Sequence, residues 1–325
     1  MRPAPRTLPM FPGLGLLGLG LLLMGGCSRN ENVVDTPPVL PDISIAGSGI
    51  FPESLTSGND GSVYIGSIGT GQIYKVAAGM SVAEPFILPG SAGLRQVFGV
   101  FADDGSGTLW ACSNDTAGGT AGPGALYGFD LASGAFKASY PLPAGGFCND
   151  IAVGANGDLY ATDTSNMQLL RLRSGGNALE VWSAAGAFGP ANGALDGVAV
   201  VGGRVIVGTI GTGKLYAVGI GADGKATTVS ALKLSEKLVG PDGMRAYGSD
   251  GLLLTDARGK VRQVVIAGDT ATITTVKKGL KGLVSVTAIG KTAYALEGQL
   301  ALRDTKPGGT PPAEEPYRAV AFTLP

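Results

Sequence analysis

The chain has 325 residues, 55 of them Gly and none of them His, and its 24 basic and 25 acidic residues leave a net charge of −1. Gly at more than twice its ordinary share of roughly 7 % is hard to place in helices, where each one costs about 1 kcal/mol relative to Ala. The near-neutral balance argues against a phosphate-driven nucleic-acid partner, and the lack of His excludes Ser-His-Asp and Cys-His catalysis and His-ligated zinc.

The first segment reads as an address. Arg2 and Arg6 precede the apolar run from Leu14 to Met24, which is followed by Gly25-Gly26-Cys27. A short basic region, a brief apolar core and small residues before a cut make a secretory signal, and the run is shorter than the roughly 20 residues of a membrane span. Residues 1–26 are therefore expected to be a signal peptide. Cys27 resembles the lipidated residue of bacterial lipoproteins, with Met24 standing where Leu is usual. Acyl chains on Cys27 would tie the protein to the bacterial cell envelope membrane; without lipidation the product would be secreted. Residues 27–42, with Pro37-Pro38, read as a flexible tether.

From residue 43 to 325 one unit recurs: an apolar strand, a Gly/Asp/Asn turn, then a second strand. The copies are PESLTSGNDGSVYIGS from Pro52, VFGVFADDGSGTLWACS from Val97, CNDIAVGANGDLYATDT from Cys148, LDGVAVVGGRVIVGTI from Leu195, PDGMRAYGSDGLLLTDA from Pro241 and LVSVTAIGKTAYALEG from Leu283. A third strand often follows, as in GTGQIYKV from Gly69 and GTGKLYAV from Gly211. Anchoring each copy at the start of its first strand selects Glu53, Phe98, Asn149, Asp196, Asp242 and Val284, whose spacings average about 46 residues. That period with three to four short antiparallel strands per unit predicts an all-β, six-bladed β-propeller forming one domain, 43–325. Either Ile43-Ser-Ile45 or the run from Tyr317 to Phe322 would close the ring.

In a propeller the first strand of each blade lines the central channel, so the anchors converge on one axis. Four carry oxygen donors: Glu53, Asn149, Asp196 and Asp242. Three carboxylates and an amide pointing at a common axis call for a cation between them. Hard oxygen donors without His favour one divalent cation, Ca²⁺ first, with Mg²⁺, Mn²⁺ or Zn²⁺ as alternatives. The plainer reading is that Asp196-Gly197 and Asp242-Gly243 are turn chemistry and that Asn149-Asp150 caps a strand; Glu53, a poor turn residue in the same register, speaks against it.

The motifs Pro52-Glu53-Ser54, Phe147-Cys148-Asn149-Asp150, Leu195-Asp196-Gly197 and Pro241-Asp242-Gly243-Met244 resemble those of the senescence-marker-protein/gluconolactonase/luciferin-regenerating-enzyme family, across about residues 48–300. The resemblance implies a six-bladed propeller with a divalent metal in its channel and a lactonase activity. Glu53 and Asp242 match the carboxylate ligands, Asn149 matches the amide near metal and substrate, and Asp196 stands where Asn is usual. Asp242 would be the catalytic base on water. The family often has Arg two residues before the amide, where this chain has Phe147; Phe147 beside Phe98 would favour a substrate less polar than a sugar acid.

Cys112 lies near the end of the second strand of unit two and Cys148 begins unit three. An up-and-down register brings both to the anchor face, predicting a disulfide there; two buried thiols are the alternative. Ser113-Asn114 and Thr162-Asp163-Thr164 are expected to rim the same face. Together these features predict a monomeric envelope lipoprotein that hydrolyses a lactone or small ester. The alternative is a non-catalytic propeller holding a ligand or protein partner.

Overall fold

The computed structural model describes residues 40–116, 123–184, 186–303 and 316–325. The expected signal peptide, Cys27 and nearly all of the expected tether lie outside the described residues. In chain order the strands are β1 (Ile43–Ile45), β2 (Pro52–Ser57), β3 (Val63–Ser67), β4 (Ile73–Val76), β5 (Glu84–Ile87), β6 (Gln96–Asp103), β7 (Thr108–Asn114), β8 (Ala125–Asp130) and β9 (Phe136–Pro141). They continue with β10 (Cys148–Val153), β11 (Leu159–Asp163), β12 (Gln168–Leu172), β13 (Leu179–Ser183), β14 (Leu195–Val201), β15 (Arg204–Thr209), β16 (Lys214–Ile220) and β17 (Ala226–Ala231). The last are β18 (Lys233–Leu234), β19 (Pro241–Ala246), β20 (Gly251–Asp256), β21 (Lys260–Ala267), β22 (Thr270–Lys278), β23 (Leu283–Ile289), β24 (Thr292–Glu297) and β25 (Tyr317–Thr323). The single α-helix among the described residues, α1, is one turn long at Leu300–Arg303.

These strands form six separate sheets, which are the six blades. Blades 1 to 4 are β2–β5, β6–β9, β10–β13 and β14–β17; blade 5 is β19–β22 with β18 added in parallel at its edge. Blade 6 is β23-β24-β25-β1, so the ring is closed by both candidate segments rather than one. The C-terminal β25 pairs with β24, and the N-terminal β1 lies outside it, with Ile43 opposite Ala319.

Tight turns join the first two strands of a blade. In blade 3, Gly154 N–H bonds the carbonyl of Asp158 and Gly157 turns back at φ 81°. That left-handed conformation carries little penalty without a Cβ. The second strands are almost wholly buried, as in VYIGS of β3 and LYATD of β11. Each is covered on both faces because blades stack face to face.

The core is accordingly distributed. Each of its six apolar clusters sits between two neighbouring blades: Ile73, Val97, Leu109 and Phe129 join blades 1 and 2, and Leu55, Ile65, Tyr294 and Tyr317 join blades 1 and 6. Blades 2 and 3 are also joined covalently, by the predicted disulfide between Cys112 and Cys148, whose Cα atoms are 5.1 Å apart. Asn114 reinforces that joint, its amide donating to the Cys148 carbonyl at 2.7 Å and its Oδ1 accepting from Cys148 N–H at 3.0 Å.

A second recurring feature was not expected. Every innermost strand shifts register at its anchor residue: between Pro52 and Ser54, Val97 and Val100, Cys148 and Ile151, Leu195 and Val198, Pro241 and Met244, and Leu283 and Ser285. A bulge re-aims the residues inside it and bends the strand. All six anchors are thus bulge residues, set in one layer at the starts of the six inner strands.

Candidate functional site

The bulges determine where the anchor side chains go. Glu53 and Asp196 are 9 % and 7 % exposed, while Asn149, Asp242, Phe98 and Phe147 are half-buried. Asp196 hydrogen-bonds with the side chains of Asp242 and Asn149 and accepts from the backbone N–H of Gly197. Glu53 lies within the field of both Asp196 and Asp150. Four anchors from blades 1, 3, 4 and 5 therefore meet at one end of the channel. The blade 2 anchor, Phe98, packs edge-to-face on Phe147 with ring centroids 4.7 Å apart. Val284, from blade 6, is buried in the cluster between blades 1 and 6.

Close strand packing permits this convergence. A Cβ on Gly99 would sit 2.4 Å from the Asn149 carbonyl, and one on Gly197 would sit 2.4 Å from the Asp242 carbonyl. At these two positions only glycine lets the neighbouring inner strand approach so closely.

Asn149 is held from two sides. Its amide donates to Thr164 Oγ1 at 3.2 Å, and Thr164 Oγ1 donates to the Leu195 carbonyl at 2.6 Å. Asp163 accepts the Phe147 N–H at 3.0 Å, fixing the approach to β10. Asn114 and Asp163 are 1 % and 0 % exposed, which corrects the expectation that these strand ends rim the face. Their short polar side chains are consumed in tying one blade to the next, since a buried polar group must be paired.

Crowded, buried carboxylates resist ionisation. Burial is the main cause for all three. It pushes Asp196 from 3.8 up to about 7, with the Asp150 charge adding to it. It also raises Asp242 well above the usual range, with Asp196 and Glu53 adding, and Glu53 likewise, with Asp196 and Asp150 adding and Arg245 opposing.

Sequence reasoning missed the group beneath this layer. Arg245, 6 % exposed, points across the channel from β19. Its Nη1 donates to both oxygens of Asp150 at 3.0 and 3.1 Å, and its Nη2 donates to Ser54 Oγ at 3.1 Å and the Val100 carbonyl at 2.8 Å. Asp150, read from sequence as a strand cap, is instead one partner of a buried ion pair. No local signal marks the pair, because the same inner strands also carry Glu53, Asp196 and Asp242.

By donor type and charge, the set of three carboxylates and one amide fits a hard divalent cation. Among the described residues, however, no three acidic or thiol side chains are gathered closely enough to hold a metal ion as they stand. Asp196 and Asp242 contact one another through their side chains, and Glu53 lies within the field of both.

No protein-family model matches this sequence, and no curated protein matches it. Solved structures do share its architecture. A gluconolactonase from Xanthomonas campestris is 14 % identical, with a TM-score of 0.58 over 88 % of this chain and 89 % of its own. A luciferin-regenerating enzyme is 13 % identical, with a TM-score of 0.60 over 88 % and 93 %. A catalytically inactive His-to-Ala variant of virginiamycin B lyase from Staphylococcus aureus, solved with quinupristin, is 14 % identical, with a TM-score of 0.52 over 78 % and 94 %. At these identities the likeness establishes the six-bladed propeller fold.

Proposed function

We propose that this protein is a metal-dependent hydrolase of a lactone or small ester, anchored in the bacterial cell envelope through acylated Cys27. The observation that carries the reading is the meeting of Glu53, Asn149, Asp196 and Asp242 at one end of the channel, with carboxyl groups so crowded that they resist ionisation. A protein gains no stability from such a cluster, and strongly perturbed acids grouped together are candidates for a functional site.

Glu53, Asn149, Asp196 and Asp242 would hold one divalent cation, Ca²⁺ first, through carboxylate and amide oxygens. Bound there, it would polarise an ester carbonyl as a Lewis acid. Asp242, half-buried and so open to water, would take a proton at its carboxylate from the attacking water. Burial and its acidic neighbours raise its proton affinity, which is the direction a general base requires. The amide of Asn149, oriented by Thr164, would orient the substrate carbonyl. Phe98 and Phe147 form an apolar edge beside these groups and would receive the non-reacting part of the substrate.

Two sets of structural neighbours suggest different chemistries, and the residues choose between them. The lyase loses activity when a His is replaced, and this chain has no His. The gluconolactonase likeness asks only for groups that this channel contains. The test is Asp242→Asn, assayed on a panel of lactones. The expected result is a folded protein that keeps its cation while turnover falls at least a hundredfold. An unchanged rate would favour the second reading, a propeller that binds a ligand without transforming it.

A further inference from the structure

Arg245 touches more blades than any functional group described above. It belongs to blade 5 and bonds Ser54 of blade 1, Val100 of blade 2 and Asp150 of blade 3. The contacts continue one step further. Ser54 Oγ accepts the Val100 N–H at 3.2 Å, and Asp150 Oδ2 accepts the Val198 N–H of blade 4 at 3.1 Å. One guanidinium thus links five of the six inner strands, directly or through Asp150.

The linked positions lie beside the candidate ligands. Glu53 adjoins Ser54, Asn149 adjoins Asp150, Asp196 is two residues before Val198, and Asp242 is three before Arg245. Further along the same strands, away from the bulges, lies a cavity of about 160 Å³ lined by Thr56, Ser57, Phe101, Thr287 and Arg245 itself. Arg245 therefore stands between the carboxylate layer and the other half of the channel.

We propose that Arg245 is the positioning residue of this site: it fixes the spacing of Glu53, Asn149, Asp196 and Asp242 from beneath. The role rests on the cation reading given above. A buried positive charge this close would, by Coulomb interaction alone, weaken cation binding. Its presence is explained by geometry: a planar fork can bind a carboxylate and a hydroxyl–carbonyl pair at once, and an ammonium cannot.

That difference supplies the test. Arg245→Lys keeps the charge and loses the fork, so it isolates positioning from electrostatics. Ser54→Ala and Asp150→Asn each remove one arm, as milder variants should Arg245→Lys fail to fold. Two readouts apply to the purified full chain: native-state amide exchange of the metal-free protein, and binding of Mn²⁺ alone followed by its electron paramagnetic resonance. In Arg245→Lys, the Val100 and Val198 amides should exchange at least tenfold faster while those of β3 and β4 hold, and Mn²⁺ should bind at least tenfold more weakly. Ser54→Ala should expose Val100 alone, and Asp150→Asn should expose Val198 alone. Unchanged exchange at both amides, or unchanged Mn²⁺ affinity in a folded variant, would overturn the positioning role. Absence of Mn²⁺ binding by the wild-type protein would instead overturn the cation reading itself, and this role with it.

Discussion

Replacing Asp196 by Asn should stabilise the metal-free protein at pH 8. Burial and the neighbouring Asp150 hold the Asp196 carboxyl near 7, against an ordinary 3.8. The folded state therefore binds more protons than the unfolded state between those values. Stability falls as pH rises wherever that is so, and the contribution present below pH 3.8 is lost once pH passes about 7. At 1.36 kcal/mol per tenfold change in proton affinity, the loss is roughly 4 kcal/mol. Glu53 and Asp242 push in the same direction. The window is a clean one, because without His no side chain with an ordinary pKa titrates between pH 5 and 8. Scanning calorimetry in EDTA should show wild-type stability falling from pH 5 to pH 8. Asp196→Asn should fall less steeply, with Glu53 and Asp242 still contributing, and melt roughly 8 °C above wild type at pH 8, taking about 2 °C per kcal/mol for a chain of this size. Added Ca²⁺ should narrow the gap by stabilising the wild type more than the variant, which keeps only an amide oxygen at this place. A variant that melts below wild type at pH 8 in EDTA would refute the argument, since Asp196 would then be held by favourable contacts that the crowding account denies.

Other perturbations probe separate parts of the structure. Replacing Cys112 and Cys148 by Ser removes a cross-link spanning 36 residues; the chain-entropy model puts the cost at about 3–4 kcal/mol, measurable as a lower urea midpoint, and an unshifted midpoint would contradict it. Gly99→Ala sets a Cβ 2.4 Å from the Asn149 carbonyl, so the strands must part; overpacking of this kind costs roughly 1–3 kcal/mol, and the loss should be accompanied by weaker cation binding. Phe147→Arg should move the ratio of kcat/KM toward polyhydroxylated lactones and away from alkyl-substituted ones, because it breaks the apolar edge with Phe98; an unchanged ratio would place the substrate elsewhere. Cys27→Ser should shift the protein from the membrane to the soluble fraction of cells, and persistence in the membrane would exclude lipidation as the anchor.

The parts of this molecule that repeat are the parts that its sequence makes legible. Six copies of a strand–turn–strand unit reveal the blades, and their common register picks out Glu53, Asn149, Asp196 and Asp242 as neighbours although they are up to 189 residues apart in the chain. The disulfide follows from the same register. What does not repeat stays hidden. Arg245 and Asp150 occur once each, 95 residues apart, and nothing local distinguishes a channel-spanning ion pair from a turn aspartate and a surface arginine. Asn114 and Asp163 look like polar strand ends because burial by the next blade is a tertiary fact. The bulges leave no mark of their own either; glycine follows the anchor at Gly99, Gly197 and Gly243, but Ser54, Asp150 and Ser285 occupy the same place in the other blades.

The most direct test of the central claim is the metal content of the purified protein by elemental mass spectrometry, beside Glu53→Ala/Asp242→Ala. The account predicts about one equivalent of a divalent metal in the wild type, retained through dialysis and lost in the double variant. No metal in either protein, even after incubation with Ca²⁺, Mg²⁺, Mn²⁺ and Zn²⁺, would contradict it and leave the propeller as a binding scaffold.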